Sequence, residues 1–141
     1  MSFVLDNSVA MCWLLGNGRP ADVAYAHKVL DALQGEVAIV PGLWPLEAAN
    51  VIAKAESKGL VTEARSQAFT AVLLRLNISV DPATASQALA ATLGLARRYR
   101  LSAYDAAYLE LALREGLTLA TLDADLEKAA KKAGVKRFDA K

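Results

Sequence analysis

The fold is decided by a stretch near the C-terminus, Leu101-Ser-Ala-Tyr-Asp-Ala-Ala-Tyr-Leu-Glu-Leu-Ala-Leu113, which leads through Gly116 into Leu117-Thr-Leu-Ala-Thr-Leu-Asp123. The first part predicts a helix with Asp105 in its first turn, and the second predicts a short buried strand that ends at Asp123. A helix that leads into the next strand of a sheet runs antiparallel to that strand. The pattern therefore places both carboxylates at the same edge of the sheet.

Around this stretch, short apolar runs alternate with helical segments along the whole chain. We predict strands near residues 3–5, 37–40, 78–80 and 118–121, and a further short strand near 135–138. One of the predicted helices begins at the cap Asp81-Pro82 and runs to about Tyr99. Such alternation is typical of an α/β fold. We expect a three-layer α/β/α sandwich with a central, mainly parallel sheet of about four to five short strands.

The composition fits one domain with its own hydrophobic core. With 141 residues, of which 55% are hydrophobic, the chain is long enough to fold without disulfides, and we assign residues 1–141 to a single domain. Cys12 is the only cysteine.

The sequence shows no basic leader and no segment with the roughly 20 apolar residues of a membrane span. We therefore expect a cytoplasmic protein without a membrane partner. The net charge of +1 does not by itself identify any class of partner.

Four acids from distant parts of the chain are predicted to meet at the carboxyl edge of the sheet, where sites form in parallel α/β folds. Asp6 ends the first strand, and Glu47 lies in the first turn of the helix that follows the second strand. Asp105 and Asp123 reach the same edge because their helix and strand run antiparallel. Taken singly, each acid is explained better as a capping or surface residue than as a functional one. Ser102 and Asp105 match a capping box, and an acid near a helix N-terminus gains up to about 1 kcal/mol.

Together the four acids favour a metal site. Like charges at a partly buried edge raise one another's pKa, and a divalent cation relieves that repulsion. Oxygen ligands without a nearby histidine or cysteine favour Mg²⁺ or Mn²⁺ over zinc, and a water held by the ion is a potential nucleophile. The only histidine, His27, offers neither a zinc cluster nor a relay partner.

Small polar residues accompany the acids and are predicted to orient carboxylates or metal-bound water. They are Ser8, Asn50 and Thr121. Each has a structural alternative, as a helix cap, a surface residue and a strand former respectively. Asp125, two residues after Asp123, is a possible additional ligand, although it is also expected in a solvent-facing helical turn.

These motifs resemble those of the PIN-domain ribonucleases, and in length the chain is most similar to the VapC-type toxins of toxin–antitoxin pairs. The motifs are Val4-Leu-Asp6-Asn-Ser8, Pro45-Leu-Glu47-Ala-Ala-Asn50, Leu101-Ser-Ala-Tyr-Asp105 and Leu119-Ala-Thr121-Leu-Asp123. The resemblance implies an endoribonuclease that depends on Mg²⁺ or Mn²⁺. It also implies a homodimer inhibited by a small antitoxin protein, in which Asp6, Glu47, Asp105 and Asp123 hold the metal.

An RNA substrate must approach an acidic edge, so flanking cations are needed. The C-terminal lysines, which include Lys128 and Lys132, are one candidate, and the arginine cluster of Arg97, Arg98 and Arg100 is another. Its alternative is a solvated helix end, which cations stabilise through the helix dipole.

Two other enzyme or signalling classes place an acid at the end of the first strand. A haloacid-dehalogenase-like phosphatase requires a second aspartate two residues after Asp6, and Ser8 occupies that position. A receiver-like domain requires paired acids and a late lysine at a strand end, and neither pattern is met. A non-catalytic module whose acids only cap helices remains the third alternative.

Overall fold

The computed structural model describes residues 1–140 as a four-stranded parallel sheet flanked by helices. The strands are β1 (Ser2–Leu5), β2 (Val37–Val40), β3 (Ile78–Val80) and β4 (Thr118–Ala120). The helices are α1 (Asn7–Leu15), α2 (Pro20–Ala32), α3 (Trp44–Ser57), α4 (Glu63–Leu73), α5 (Thr84–Gln87), α6 (Leu93–Tyr99), α7 (Ala103–Glu115) and α8 (Ala124–Lys132), and a π-helical stretch, Ala88–Thr92, joins α5 to α6. The predicted α/β/α fold is confirmed.

The sheet has the order β3-β2-β1-β4, which makes β1 a central strand. Phe3, Val4 and Leu5 are completely buried, as expected for a strand that is covered on both faces. All four strands are parallel, so their carboxyl ends share one edge. The backbone N–H of Asp6 donates to the carbonyl of Ala120, which aligns the ends of β1 and β4 at that edge.

The possible fifth strand near residues 135–138 is reduced to one isolated bridge between Leu119 and Arg137. The Phe138 ring stacks on Phe3 with ring centroids 3.9 Å apart, and the Arg137 guanidinium lies 3.8 Å from the centroid of the Tyr25 ring. These side-chain contacts draw the segment onto the core and α2, so it pairs with β4 at one point only. The assignment of residues 1–141 to a single domain stays a prediction, and Lys141 lies outside the described residues.

The decisive stretch folds as its sequence predicts, because both ends of α7 are capped. The Ser102 hydroxyl accepts a hydrogen bond from the backbone N–H of Asp105 at 3.1 Å. Gly116 ends the helix with φ of 66° and donates its N–H to the carbonyl of Ala112. That left-handed conformation is cheap only for glycine, and it turns the chain back into β4.

The predicted helix start, with Asp81 as the cap and Pro82 as the first helical residue, is wrong by two residues, because α5 begins at Thr84 with Ala83 as its cap. Asp81 is 7% exposed and is held by Arg114, whose Nη2 donates to Asp81 Oδ2 at 2.7 Å. The same guanidinium donates from Nε to Glu110 Oε2, also at 2.7 Å. Asp81 thus links the end of the edge strand β3 to α7 instead of capping a helix.

The helices of residues 1–140 include none that is both long and apolar enough to span a membrane.

Replacing Arg114 with methionine is expected to lower the free energy of unfolding by about 3 kcal/mol, because two buried carboxylates lose their counter-charge. Arg114 lowers the pKa of Asp81, so the stabilisation is present at neutral pH and is lost as the pH falls through that lowered pKa. Urea denaturation at pH 7 and pH 3 measures both effects. The exposed control Arg75→Met should change stability by less than about 0.5 kcal/mol. Equal stability of the two variants would contradict a stabilising role of Arg114 toward Asp81 and Glu110.

Candidate functional site

All four predicted acids line one cleft of about 460 Å³ at the carboxyl edge of the sheet. They are Asp6, Glu47, Asp105 and Asp123. They reach it from the end of β1, the first turn of α3, the first turn of α7 and the residue before α8. The parallel sheet thus brings together side chains that are separated by up to 117 residues in the chain, from Asp6 to Asp123.

Asp6 is the most constrained of the four acids, with 5% of its surface exposed. Its Oδ2 accepts hydrogen bonds from the Ser8 hydroxyl at 2.6 Å and from the Thr121 hydroxyl at 2.7 Å. The Ser8 hydroxyl also accepts from the backbone N–H of Leu122, and the Thr121 hydroxyl accepts from that of Asp123. This network joins β1 to the segment after β4 and leaves Oδ1 as the oxygen that neither hydroxyl engages.

Glu47 is positioned by Tyr108, whose buried hydroxyl donates to Glu47 Oε1. The contact connects α3 to α7, and Tyr108 lies one turn after Asp105 on the same helix. Burial, with Asp6 and Glu47 nearby, raises the pKa of the Tyr108 phenol, so the hydroxyl keeps its proton. The sequence offered Tyr108 only as a core or stacking aromatic, because its partner is 61 residues away.

Asp105 and Asp123 both combine a structural contact with a place in the cleft. Asp105 occupies the capping-box position after Ser102 and is partly buried. Asp123 caps α8, because its Oδ1 accepts a hydrogen bond from the backbone N–H of Leu126 at 3.0 Å. Capping therefore accounts for one oxygen of Asp123 and does not remove this carboxylate from the cleft.

The acids are close enough to influence one another's ionisation. Burial raises the pKa of Asp6, and the charge of Asp123 adds to the shift. Burial likewise raises the pKa of Glu47, with Asp6 and Asp105 contributing. The pKa of Asp105 rises to about 6 through burial and the charges of Asp123 and Asp6. At neutral pH, a cleft lined by these groups therefore concentrates negative charge and favours a cation.

The donor chemistry of the cleft fits a hard divalent cation. Its walls carry carboxylates together with the amide oxygen of Asn7, which is buried without a hydrogen-bond partner among the described residues. Within residues 1–140, no three His, Cys, Asp or Glu side chains are close enough to ligate one ion jointly. Mg²⁺ tolerates such an arrangement, because it keeps several waters and takes only one or two carboxylates directly. The metal roles of the four acids stay a prediction.

Two of the predicted supporting residues contact Asp6, and the third lies elsewhere. Ser8 and Thr121 donate to its carboxylate, whereas Asn50 is exposed and does not line the cleft. Val51, four residues after Glu47 and therefore on the same face of α3, lines the cleft instead. The position of Asn50 therefore does not fit its predicted role in supporting the site.

Sequence reasoning missed Asp22, a fifth acid in the wall of the cleft. Asp22 lies in the first turn of α2, which follows another helix, so reasoning from strand ends does not reach it. Asp125 is exposed and lines a neighbouring groove instead of the cleft. Of the arginine cluster, Arg98 and Arg100 line that same groove, and Arg97 does not.

Comparisons with known proteins agree with this architecture. The crystal structure of PAE2754 from Pyrobaculum aerophilum is similar in fold, with a TM-score of 0.68 and 24% sequence identity over 97% of this chain and 83% of that chain. No match is found among curated protein sequences. A family model described as the PIN domain matches residues 3–132. Because this match covers nearly the whole sequence, the chain belongs to the PIN-domain family.

Proposed function

We propose that this chain is an endoribonuclease that depends on Mg²⁺ or Mn²⁺ and cleaves RNA phosphodiesters with a metal-activated water. PIN domains are generally nucleases. The observation that carries the proposal is the single cleft in which Asp6, Glu47, Asp105 and Asp123 meet. Without a cation, this concentration of carboxylates repels a phosphodiester.

The four acids would hold the metal, one or two of them directly and the others through its bound waters. A bound ion of this type activates water and neutralises charge on the phosphate. Neighbouring side chains position these acids. Ser8 and Thr121 fix Oδ2 of Asp6, and Tyr108 fixes Oε1 of Glu47.

The main alternative is a non-catalytic module of the same fold whose acids only cap helices. Asp123 does cap α8, and Asp105 lies in a capping box. Asp6, however, precedes α1 without a capping hydrogen bond from its side chain. Glu47 receives its hydrogen bond from the Tyr108 side chain instead of α3. Capping therefore leaves these two carboxylates unexplained, which favours the nuclease.

Within this proposal, we infer that the chain is the toxin of a type II toxin–antitoxin system and acts in the cytoplasm as a homodimer paired with a small antitoxin protein. The support is the order of the four acid motifs, which resembles that of VapC-type toxins across nearly the whole chain.

Replacing Asp6 or Asp105 with asparagine is expected to abolish Mg²⁺- or Mn²⁺-dependent cleavage of RNA, a loss of at least about 100-fold, while the fold is kept. The asparagine that replaces Asp6 retains an oxygen that can accept from Ser8 and Thr121. Asp31→Asn is the matched control, because Asp31 is exposed and lines neither the cleft nor the neighbouring groove, and it should cleave at a comparable rate. Gel-based cleavage with Mn²⁺ or EDTA measures these rates; full activity in EDTA would contradict the metal mechanism.

Asp105→Asn is also expected to stabilise the metal-free protein at pH 7. The folded-state pKa of Asp105 is raised from 3.8 to about 6, so the wild type loses stability as the pH rises from about 4 to about 6. Asparagine does not ionise, and after allowance for solvent screening the gain at pH 7 is about 1 kcal/mol, falling to nothing at pH 4. Denaturation in EDTA at both pH values measures it, with the exposed Asp31→Asn as control. A uniform gain at both pH values would show that ionisation is not its source.

The toxin assignment predicts that expression of the wild-type chain without an antitoxin arrests bacterial growth. Asp6→Asn, expressed to the same level, should permit growth, because the predicted nuclease centre is lost while the surface is unchanged. Growth curves after induction, with immunoblots for protein level, test the difference. If both proteins arrest growth, the toxicity does not depend on the acidic cleft. If cells grow normally while expressing a wild type that cleaves RNA in vitro, the toxin role is contradicted and the nuclease activity is not.

A further inference from the structure

A second concave surface, which we call the basic groove, lies beside the acidic cleft and has a volume of about 540 Å³. It is formed by the end of α6 and the turn after it on one side and by α8 on the other. Four of its lining residues are cationic: Arg98, Arg100, Lys128 and Lys132. Asp125 is the one acid in its wall. The arginines and lysines come from separate parts of the chain, and the fold brings them together in one groove.

The four cations are not neutralised within the described part of the chain. The ion pairs of residues 1–140 involve Arg19, Arg114 and Arg137, and none involves a cation of the basic groove. Helix dipoles favour cations in the last turns of α6 and α8. They do not account for Lys128 in the middle of α8. A concave surface with unpaired positive charge is suited to an anionic ligand.

Arg100 supplies an independent observation. It ends α6 with φ of 55°, the only non-glycine residue of residues 1–140 with positive φ. This left-handed conformation costs an ordinary residue about 1 kcal/mol and is normally filled by glycine. The backbone contact that Arg100 makes, from its N–H to the carbonyl of Ala96, is one that glycine makes equally well. The turn does not need this side chain, which instead lines the basic groove.

The basic groove adjoins the acidic cleft through α8. The helix is capped by Asp123 of the cleft, and Asp125, Lys128 and Lys132 follow on one face at helical spacing. Lys128 and Lys132 are about 6 Å apart along the helix axis. Asp123 lines the cleft and Asp125, two residues later, lines the groove, so the two surfaces meet at the start of α8. A polyanion lying along this face of α8 would lead directly to the acids.

We propose that the basic groove binds backbone phosphates of single-stranded RNA and guides the strand into the acidic cleft; the choice of RNA rests on the proposed function. Tyr99, which also lines the groove, has the Arg98 guanidinium 5.6 Å from its ring centroid. A cation next to an aromatic ring is a feature of surfaces that bind single strands through phosphate contacts and base stacking.

The first test measures binding of a labelled oligouridine in EDTA, where cleavage is suppressed, by fluorescence anisotropy over a range of salt concentrations. The double variant Lys128→Gln/Lys132→Gln should bind more weakly, and the slope of log affinity against log salt should fall by about 1.4, or 0.7 for each phosphate that is no longer neutralised. The control Lys58→Gln/Arg75→Gln removes the same charge from exposed positions outside the groove and should bind like the wild type. If RNA binding weakens equally in both double variants, the effect is due to the loss of net charge and not to the groove, which would overturn the proposal.

The second test uses Arg100→Gly, which separates a structural role from a binding role. Glycine relieves the left-handed conformation, so the melting temperature should stay the same or rise, while affinity for oligouridine falls. Unchanged affinity and salt slope in Arg100→Gly and in the lysine variant would overturn the proposal. An oligothymidine arm identifies the ligand: the same dependence on the groove supports phosphate recognition, and binding of DNA alone contradicts an RNA path.

These outcomes are independent of the proposed nuclease activity. Groove-dependent binding by a wild type that cleaves no RNA would uphold the groove and contradict the nuclease. If Asp6→Asn abolishes cleavage while all groove variants cleave and bind RNA like the wild type, the nuclease proposal is upheld and the proposed RNA-binding role of the groove is overturned.

Discussion

The structure depends on one buried carboxylate at the end of the central strand. Asp6 is almost fully enclosed, and its Oδ2 is held by hydroxyls from Ser8 and Thr121. Burying an acid carries an energetic penalty unless hydrogen bonds compensate it. Because one hydroxyl follows β1 and the other follows β4, the same bonds that compensate Asp6 also fix how these strands end. The same hydrogen bonds therefore fix both the position of Asp6 and the geometry of the sheet edge.

The remaining acids add charge to this edge with little local compensation. Glu47 has the Tyr108 hydroxyl, and Asp105 lies near other carboxylates that help to raise its pKa to about 6. Elsewhere the buried acids have a cationic partner, since Arg114 forms ion pairs with both Asp81 and Glu110. The contrast between acids that share a counter-charge and acids that have none is the physical reason for regarding the cleft, and not the Arg114 network, as the functional site.

Helix α8 relates the two charged surfaces. Its N-terminus is capped by an acid of the cleft, and its next two turns carry lysines of the basic groove. A cleft that concentrates carboxylates requires a cation before it can accept a phosphodiester, whereas the neighbouring cations attract the same polyanion at longer range. The proposed nuclease and the proposed RNA path thus use opposite charges on one rigid element.

The sequence by itself determined the strands, the long helices, the parallel sheet and the edge at which four acids lie. It could do so because apolar periodicity, capping residues and the alternation of strands with helices are read directly along the chain. The match to the PIN domain confirms the family that the motifs resembled. Only the tertiary structure decided how distant segments meet: the pairing of Tyr108 with Glu47, the entry of Asp22 into the cleft, the exposure of Asn50, and the joining of Arg100 to Lys128 in one groove. These depend on how helices rotate and cross when their apolar faces pack, and no single segment of the chain encodes that.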